Sequence, residues 1–149
     1  MKLEEEIQHP SFSDQYMKAI LNVMVTADVL GSATNTALKP FGISKEQFNV
    51  LRILRGQHPK PATVQLITER MISKSSNATR LVEKMRVKGL VDRTQCAADR
   101  RKVDVIITQE GLDLLDKVDP VVKQVGEERR SLSEDEAKLL NILLDKMRD

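Results

Sequence analysis

Tryptophan is absent from the 149-residue chain, tyrosine occurs once and phenylalanine three times. Protein-interface hot spots favour Trp, Tyr and Arg, so a chain this poor in aromatics is ill equipped for an aromatic-anchored docking surface. A single cysteine, Cys96, excludes an internal disulfide and any cysteine-based zinc cluster. His9 and His58 fall in predicted loops without a second ligand-type residue at metal spacing, so no metal site is expected. The six glycines are scattered singly and leave no phosphate-cradling loop. Without a nucleophile–base arrangement or paired carboxylates at a cleft, neither an enzyme nor a cofactor is expected. No stretch approaches the roughly 20 uninterrupted apolar residues of a membrane span. The acidic start, Met1-Lys2-Leu3-Glu4-Glu5-Glu6, lacks the apolar core of a signal peptide. The simplest address is the cytoplasm, with no membrane partner.

What is present is ordinary in amount and uneven in placement. Hydrophobic residues make up 40% and charged residues 31%, a soluble globular composition for one compact domain or a domain with a dimerising extension. From Lys60 to Lys102 eleven Lys/Arg stand against four Asp/Glu, a balance of +7. The remainder has thirteen against eighteen, a balance of −5, which together give the net +2. A basic middle between acidic flanks marks a segment that faces a polyanion.

Periodicity divides the chain into elements. Residues 1–10 show no apolar period and are expected to fray. From Ser13 to about Leu38 one long helix carries Tyr16, Met17, Ile20, Leu21, Met24, Ala27, Leu30 and Ala33 at three- and four-residue steps, until Pro40 stops it. Ser44-Lys45-Glu46-Gln47 is a capping box for a second helix with Phe48, Leu51 and Leu54 inward, ended by Gly56. A short helix from Thr63 to Arg70 turns Val64, Ile67 and Met71 inward. The turn Met71-Ile72-Ser73 leads to a helix of about thirteen residues, with Ser73 as N-cap and Ala78, Leu81, Val82 and Met85 as its buried stripe. Gly89 suits a left-handed C-terminal cap. Leu90–Gln95 and Lys102–Thr108 read as two strands around the polar tip Cys96-Ala97-Ala98-Asp99-Arg100-Arg101. Thr108 caps a helix that Pro120 should kink or divide. Ser133-Glu134-Asp135-Glu136 is a second capping box, opening a terminal helix with Ala137, Leu140, Ile142, Leu143, Leu144 and Met147. That apolar face is too wide for a lone surface helix and wants a partner.

Two short helices joined by a tight turn and followed by a basic hairpin form a winged helix-turn-helix, whose second helix can enter a major groove. The face left after burial of the stripe shows Ser75, Ser76, Asn77, Thr79, Arg80 and Lys84, interrupted by one acid, Glu83. Small hydroxyl residues permit close approach, Asn77 can pair with adenine and Arg80 with guanine. Lys74 and Lys84 suit phosphates. Arg100, Arg101 and Lys102 lie where a wing can reach the neighbouring minor groove, and Asp99 is expected to hold one arginine extended through a charge-assisted bond.

The run Asp99-Arg100-Arg101-Lys102-Val103-Asp104-Val105-Ile106-Ile107-Thr108, followed by Gly111, resembles the wing of the MarR family of bacterial transcriptional regulators. Lys74–Val82 is similar to that family's recognition helix, and Lys88-Gly89-Leu90-Val91 to its exit into the wing. The turn Met71-Ile72-Ser73 departs from the pattern in lacking a glycine. The resemblance spans nearly the whole chain. It implies a mainly α fold with a small β-hairpin wing (α+β): a dimerisation helix over 1–38, a winged helix-turn-helix over 44–108 and C-terminal dimerisation helices over 109–149. It further implies a homodimer, interlocked here through residues such as Tyr16, Met17, Ile20, Leu140, Leu143 and Leu144, that binds a pseudo-palindromic double-stranded operator, usually as a repressor. Many members release DNA on binding a small aromatic or lipophilic acid, or on cysteine oxidation. By the match, Arg101 would be the minor-groove arginine and Asp99 its partner. Oxidant-sensing members usually carry their cysteine near the start of the first helix, where this chain has none, so Cys96 reads as an incidental thiol. The competing function is a protein-interaction winged helix without direct DNA readout, against which the cationic, hydroxyl-rich face and the scarcity of aromatics both argue.

Overall fold

The computed structural model describes residues 1–149. In chain order its elements are α1 (Leu3–Glu6), α2 (Gln15–Leu38), a 3-10 turn (Lys39–Phe41), α3 (Lys45–Gln57), β1 (Ala62–Thr63), α4 (Val64–Arg70), α5 (Ala78–Val87), β2 (Val91–Gln95), β3 (Val103–Ile107), α6 (Gln109–Glu127) and α7 (Glu134–Arg148). The architecture is mainly α with a small antiparallel sheet, as the periodicity predicts.

Caps set most boundaries. Both predicted capping boxes form: Ser44 accepts from the Gln47 amide and Ser133 from the Glu136 amide. The Ser133 amide and hydroxyl in return hold the Glu136 carboxyl below the usual carboxylate range. Gly56 does not end α3, which runs on to Gln57 with His58 as C-cap. The N-terminus, expected to be irregular, carries one short helical turn packed on α2. Leu3 is buried and Glu4 takes a 2.5 Å bond from Lys18 of α2. Nor does Pro120 divide α6, which continues through it. Both Pro120 and Asp116, whose carbonyl loses its amide partner, lie on the exposed side, where water can serve that oxygen.

The sheet has three strands, in the order β1-β3-β2. Ala62 pairs with Val105 and Thr63 with Asp104, so the hairpin of β2 and β3 is stitched to the segment just before α4. This third strand is absent from the sequence reading, because two residues have no period.

One core of 18 buried residues lies beneath the helix-turn-helix and the sheet. It takes Leu38, Ile43, Phe48, Val50, Leu51 and Leu54 from the first part of the chain, and Ile67, Met71, Ala78, Val82 and Met85 from α4, α5 and their turn. Ala62, Leu90, Val91, Val105 and Ile107 come from the sheet and its approach, and Leu115 and Val118 from α6. The N-terminal turns of α2 and all of α7 contribute nothing to it. Tyr16 is 84% exposed, Met24 62%, Ile142 64% and Leu143 53%. An apolar stripe left this open on two capped helices marks a surface that a single copy does not cover.

Candidate nucleic-acid interface

The helix-turn-helix is built from α4 and α5, which pack together over the core through Ile67, Ala78 and Val82. Thr63 caps α4 by accepting from the Leu66 amide. α5 starts later than the sequence suggests. Its N-cap is Asn77, not Ser73, and it spans ten residues, Ala78–Val87. Asn77 Oδ1 accepts from the Arg80 amide at 3.0 Å. Residues 71–77 therefore form a longer turn. Within it the Ile72 amide donates to Asn49 Oδ1 at 2.9 Å, and the hydroxyls of Ser73 and Ser75 lie 3.2 Å apart. Lys74, Ser75 and Ser76 precede the helix instead of opening it. The Lys74 ammonium folds back onto the Glu69 carbonyl. Thr79 and Arg80 stand exposed in the first turn, and Lys84 is exposed one turn on.

The first turn of α5 contains no acid, so its free amides and positive dipole end stay available to an anion. The helix's single carboxylate, Glu83, is occupied. It takes two bonds from Arg86, at 3.0 and 2.8 Å, and one from Arg93 of β2 at 3.4 Å. The Arg86 contact holds the Glu83 carboxyl below the ordinary range, and Glu83 in turn raises the Arg86 guanidinium.

The exit of α5 is fixed by Gly89 at φ +74°, in the left-handed region that favours glycine. The hairpin follows. Asp99 does not grip a guanidinium, as expected from sequence. Its Oδ1 accepts the main-chain N–H of Arg101 at 3.0 Å. The Asp99 carbonyl takes the Lys102 amide at 2.9 Å, the Gln95 side chain donates to the Arg100 carbonyl at 2.6 Å, and the Cys96 amide donates to the Lys102 carbonyl. Asp99 thus closes an Asx turn at the wing tip and leaves the arginine side chains without a carboxylate partner. None of Arg80, Lys84, Arg100, Arg101 or Lys102 is held in an ion pair. Cys96 is a free, half-buried thiol.

Between α5 and the wing lies an open hollow walled by Thr63, Gln65, Thr79, Arg93, Arg101 and Lys102. It brings the wing cations and the first turn of the reading helix onto one surface. Thr63 and Gln65 are new here; only the β1–β3 pairing, which sequence does not display, carries them beside the wing.

The family model for MarR matches residues 43–103, the stretch that holds this surface. Over 93% of this chain and 98% of the other, the fold superposes on a MarR transcription factor from Planctomyces limnophilus with a TM-score of 0.70 and 30% identity. The chain belongs to the MarR family. As a MarR protein it is a DNA-binding helix-turn-helix transcriptional regulator, not an enzyme. A curated relative of this MarR protein is IacR, an HTH-type transcriptional repressor from Pseudomonas putida, 27% identical over 92% of this chain and 83% of the relative. The same fold occurs in the Staphylococcus aureus MepR–DNA complex, with a TM-score of 0.78 at 21% identity over 92% of this chain and 97% of that one. No helix of this MarR protein is long and apolar enough to cross a membrane.

Proposed function

We propose that this regulator is a homodimeric repressor that binds a pseudo-palindromic operator and releases it on binding a small aromatic or lipophilic acid. The observation that carries the DNA reading is the acid-poor surface shared by α5 and the wing, where five cations stay out of ion pairs while the one helix acid is consumed. MepR binds DNA with this fold, and IacR carries the repressor role in its name.

In this reading Arg80 pairs with a guanine edge, and Thr79, Ser75 and Ser76 let the helix approach closely. Asn77 spends its side-chain oxygen on the cap and keeps its amide N–H groups for the DNA. Lys74, Lys84, Arg100 and Lys102 neutralise phosphates, which requires Lys74 to leave the Glu69 carbonyl. Arg101 enters the minor groove, presented by Asp99. The dimer is supported by the open apolar faces of α2 and α7, with Tyr16, Met17, Ile20, Leu140, Leu143 and the half-buried Leu144 in the seam. The effector is supported by a hollow between α2 and α6, lined half by Ala33, Ala37, Val121 and Val125 and half by Thr36, Gln124 and the Glu128–Arg129 pair, which an acid would have to open to reach the guanidinium.

A gel shift on a duplex from the chain's own upstream region tests the core of this. Retardation at low salt is expected, with log K falling by about 0.9 per phosphate neutralised for each decade of salt. No retardation at low salt overturns it. Arg101→Ala is expected to weaken operator binding about 5- to 100-fold and to relax the preference at the operator flanks. Unchanged affinity removes Arg101 from the interface.

A further inference from the structure

Glu83 stands out because it works against the surface that carries it. A carboxylate on a DNA-reading helix repels phosphate, and α5 has no other acid. It is not a loose solvent group. Its Oε1 accepts from Arg86 Nη2 at 2.8 Å, and its Oε2 is shared between Arg86 Nε at 3.0 Å and Arg93 Nη1 at 3.4 Å. Arg86 lies one turn further along α5, whereas Arg93 is the middle residue of β2, paired with Val105 of β3. One carboxylate therefore joins the reading helix to the base of the wing. The same Arg93 forms part of the hollow between them, next to Arg101 and Lys102.

Exposed ion pairs add little to stability, and this one is 44% exposed on the glutamate and 39–48% on its arginines. Stability is thus a weak reason for it. Its effect on charge is larger. Two guanidiniums that could each neutralise a phosphate on any sequence are tied to an acid instead. Arg80, Lys84, Arg100, Arg101 and Lys102 are not.

We infer that Glu83 is a specificity-determining residue: it withholds Arg86 and Arg93 from the DNA backbone and sets the wing base against α5, lowering affinity for non-operator DNA. The inference rests on the DNA-binding reading above. Phosphate contacts carry no sequence information, so suppressing two of them widens the gap between operator and random DNA.

The test compares wild type, Glu83→Gln, and Glu83→Gln combined with Arg86→Gln and Arg93→Gln. Each is titrated with the upstream duplex that wild type retards and with a scrambled duplex, across a salt series. Circular dichroism confirms that each folds. For Glu83→Gln, affinity for the scrambled duplex is expected to rise about 5- to 10-fold and the salt slope to steepen by about 1–2 per subunit. Affinity for the upstream duplex should rise less, so discrimination narrows, and the triple variant should return the slope to the wild-type value. Glu83→Gln with unchanged slope and discrimination, or with weaker binding to the scrambled duplex, overturns the inference while leaving the DNA reading intact. Wild type that retards neither duplex overturns both.

Discussion

A Cβ on Gly111 would lie 2.3 Å from the Leu90 carbonyl oxygen and 2.7 Å from Cγ1 of Ile107. Backbone and a core side chain cannot both yield, so only glycine lets α6 start this close to the exit of α5. Thr108 completes the junction. Its hydroxyl donates to the Gly89 carbonyl at 2.7 Å and accepts the Gly111 amide at 3.1 Å, while its own amide donates to Leu90. The Thr-then-Gly spacing legible in the sequence is therefore a packing requirement. Gly111→Ala is expected to destabilise the fold by about 1–3 kcal/mol, the usual cost of overpacking a tight contact. A melting curve that overlays wild type would show that α6 can shift at no cost. Asp99 is the residue at which sequence reasoning chose the wrong partner. An aspartate beside two arginines invites an ion pair, yet the main-chain amide two residues on is nearer and spares the entropy of ordering a long arginine side chain.

At the scale of elements, legibility follows the length of the pattern. The helices from α2 to α7 and both long strands announce themselves through apolar steps and caps, and Ser44, Ser133 and Thr108 cap where the spacing puts them. The start of α5 does not, because Ser73, Ser75, Ser76 and Asn77 are all competent caps in five residues. Such side chains stabilise turns as readily as helices. Asn77 wins because burial begins at Ala78, 3% exposed, and nothing earlier than Ala78 and later than Met71 is buried. Asn77→Ala is expected to cost about 1 kcal/mol of stability through the lost cap. Asn77→Asp keeps the acceptor, so it should retain stability but weaken DNA binding by placing a charge at the interface. Equal DNA affinity in Asn77→Asp would take the first turn of α5 away from the phosphates. The three-stranded sheet was half legible: β1 exists only as a pairing with β3, and pairing is a tertiary fact.

The whole molecule has one core, and it leaves apolar faces uncovered on α2 and α7. Leu139, Leu140, Ile142 and Leu143 are each between 43% and 64% exposed, so covering them is worth roughly 1 kcal/mol apiece. Leu143→Asp is expected to leave the winged helix folded, since α7 supplies none of its core, and to convert a dimer to a monomer. Sedimentation at micromolar concentration reads the change. A wild-type protein that sediments as a monomer removes the dimeric operator from the proposal. The terminal helices were readable as amphipathic, but which surface covers them is not written in one copy of the sequence.

α6 begins directly after β3 and runs 19 residues, about 28 Å at 1.5 Å per residue. Its first turn is locked to the reading helix and the wing through Thr108 and Gly111, and its middle is tied to α3 by the 2.6 Å Arg55–Asp119 pair. A rod clamped in this way moves with the winged helix as one piece. A tilt of about 10° about its far end would carry the wing through about 5 Å, a large part of the roughly 7.5 Å depth of a minor groove. Any change in the angle of α6 would therefore be felt at the wing as a change of reach.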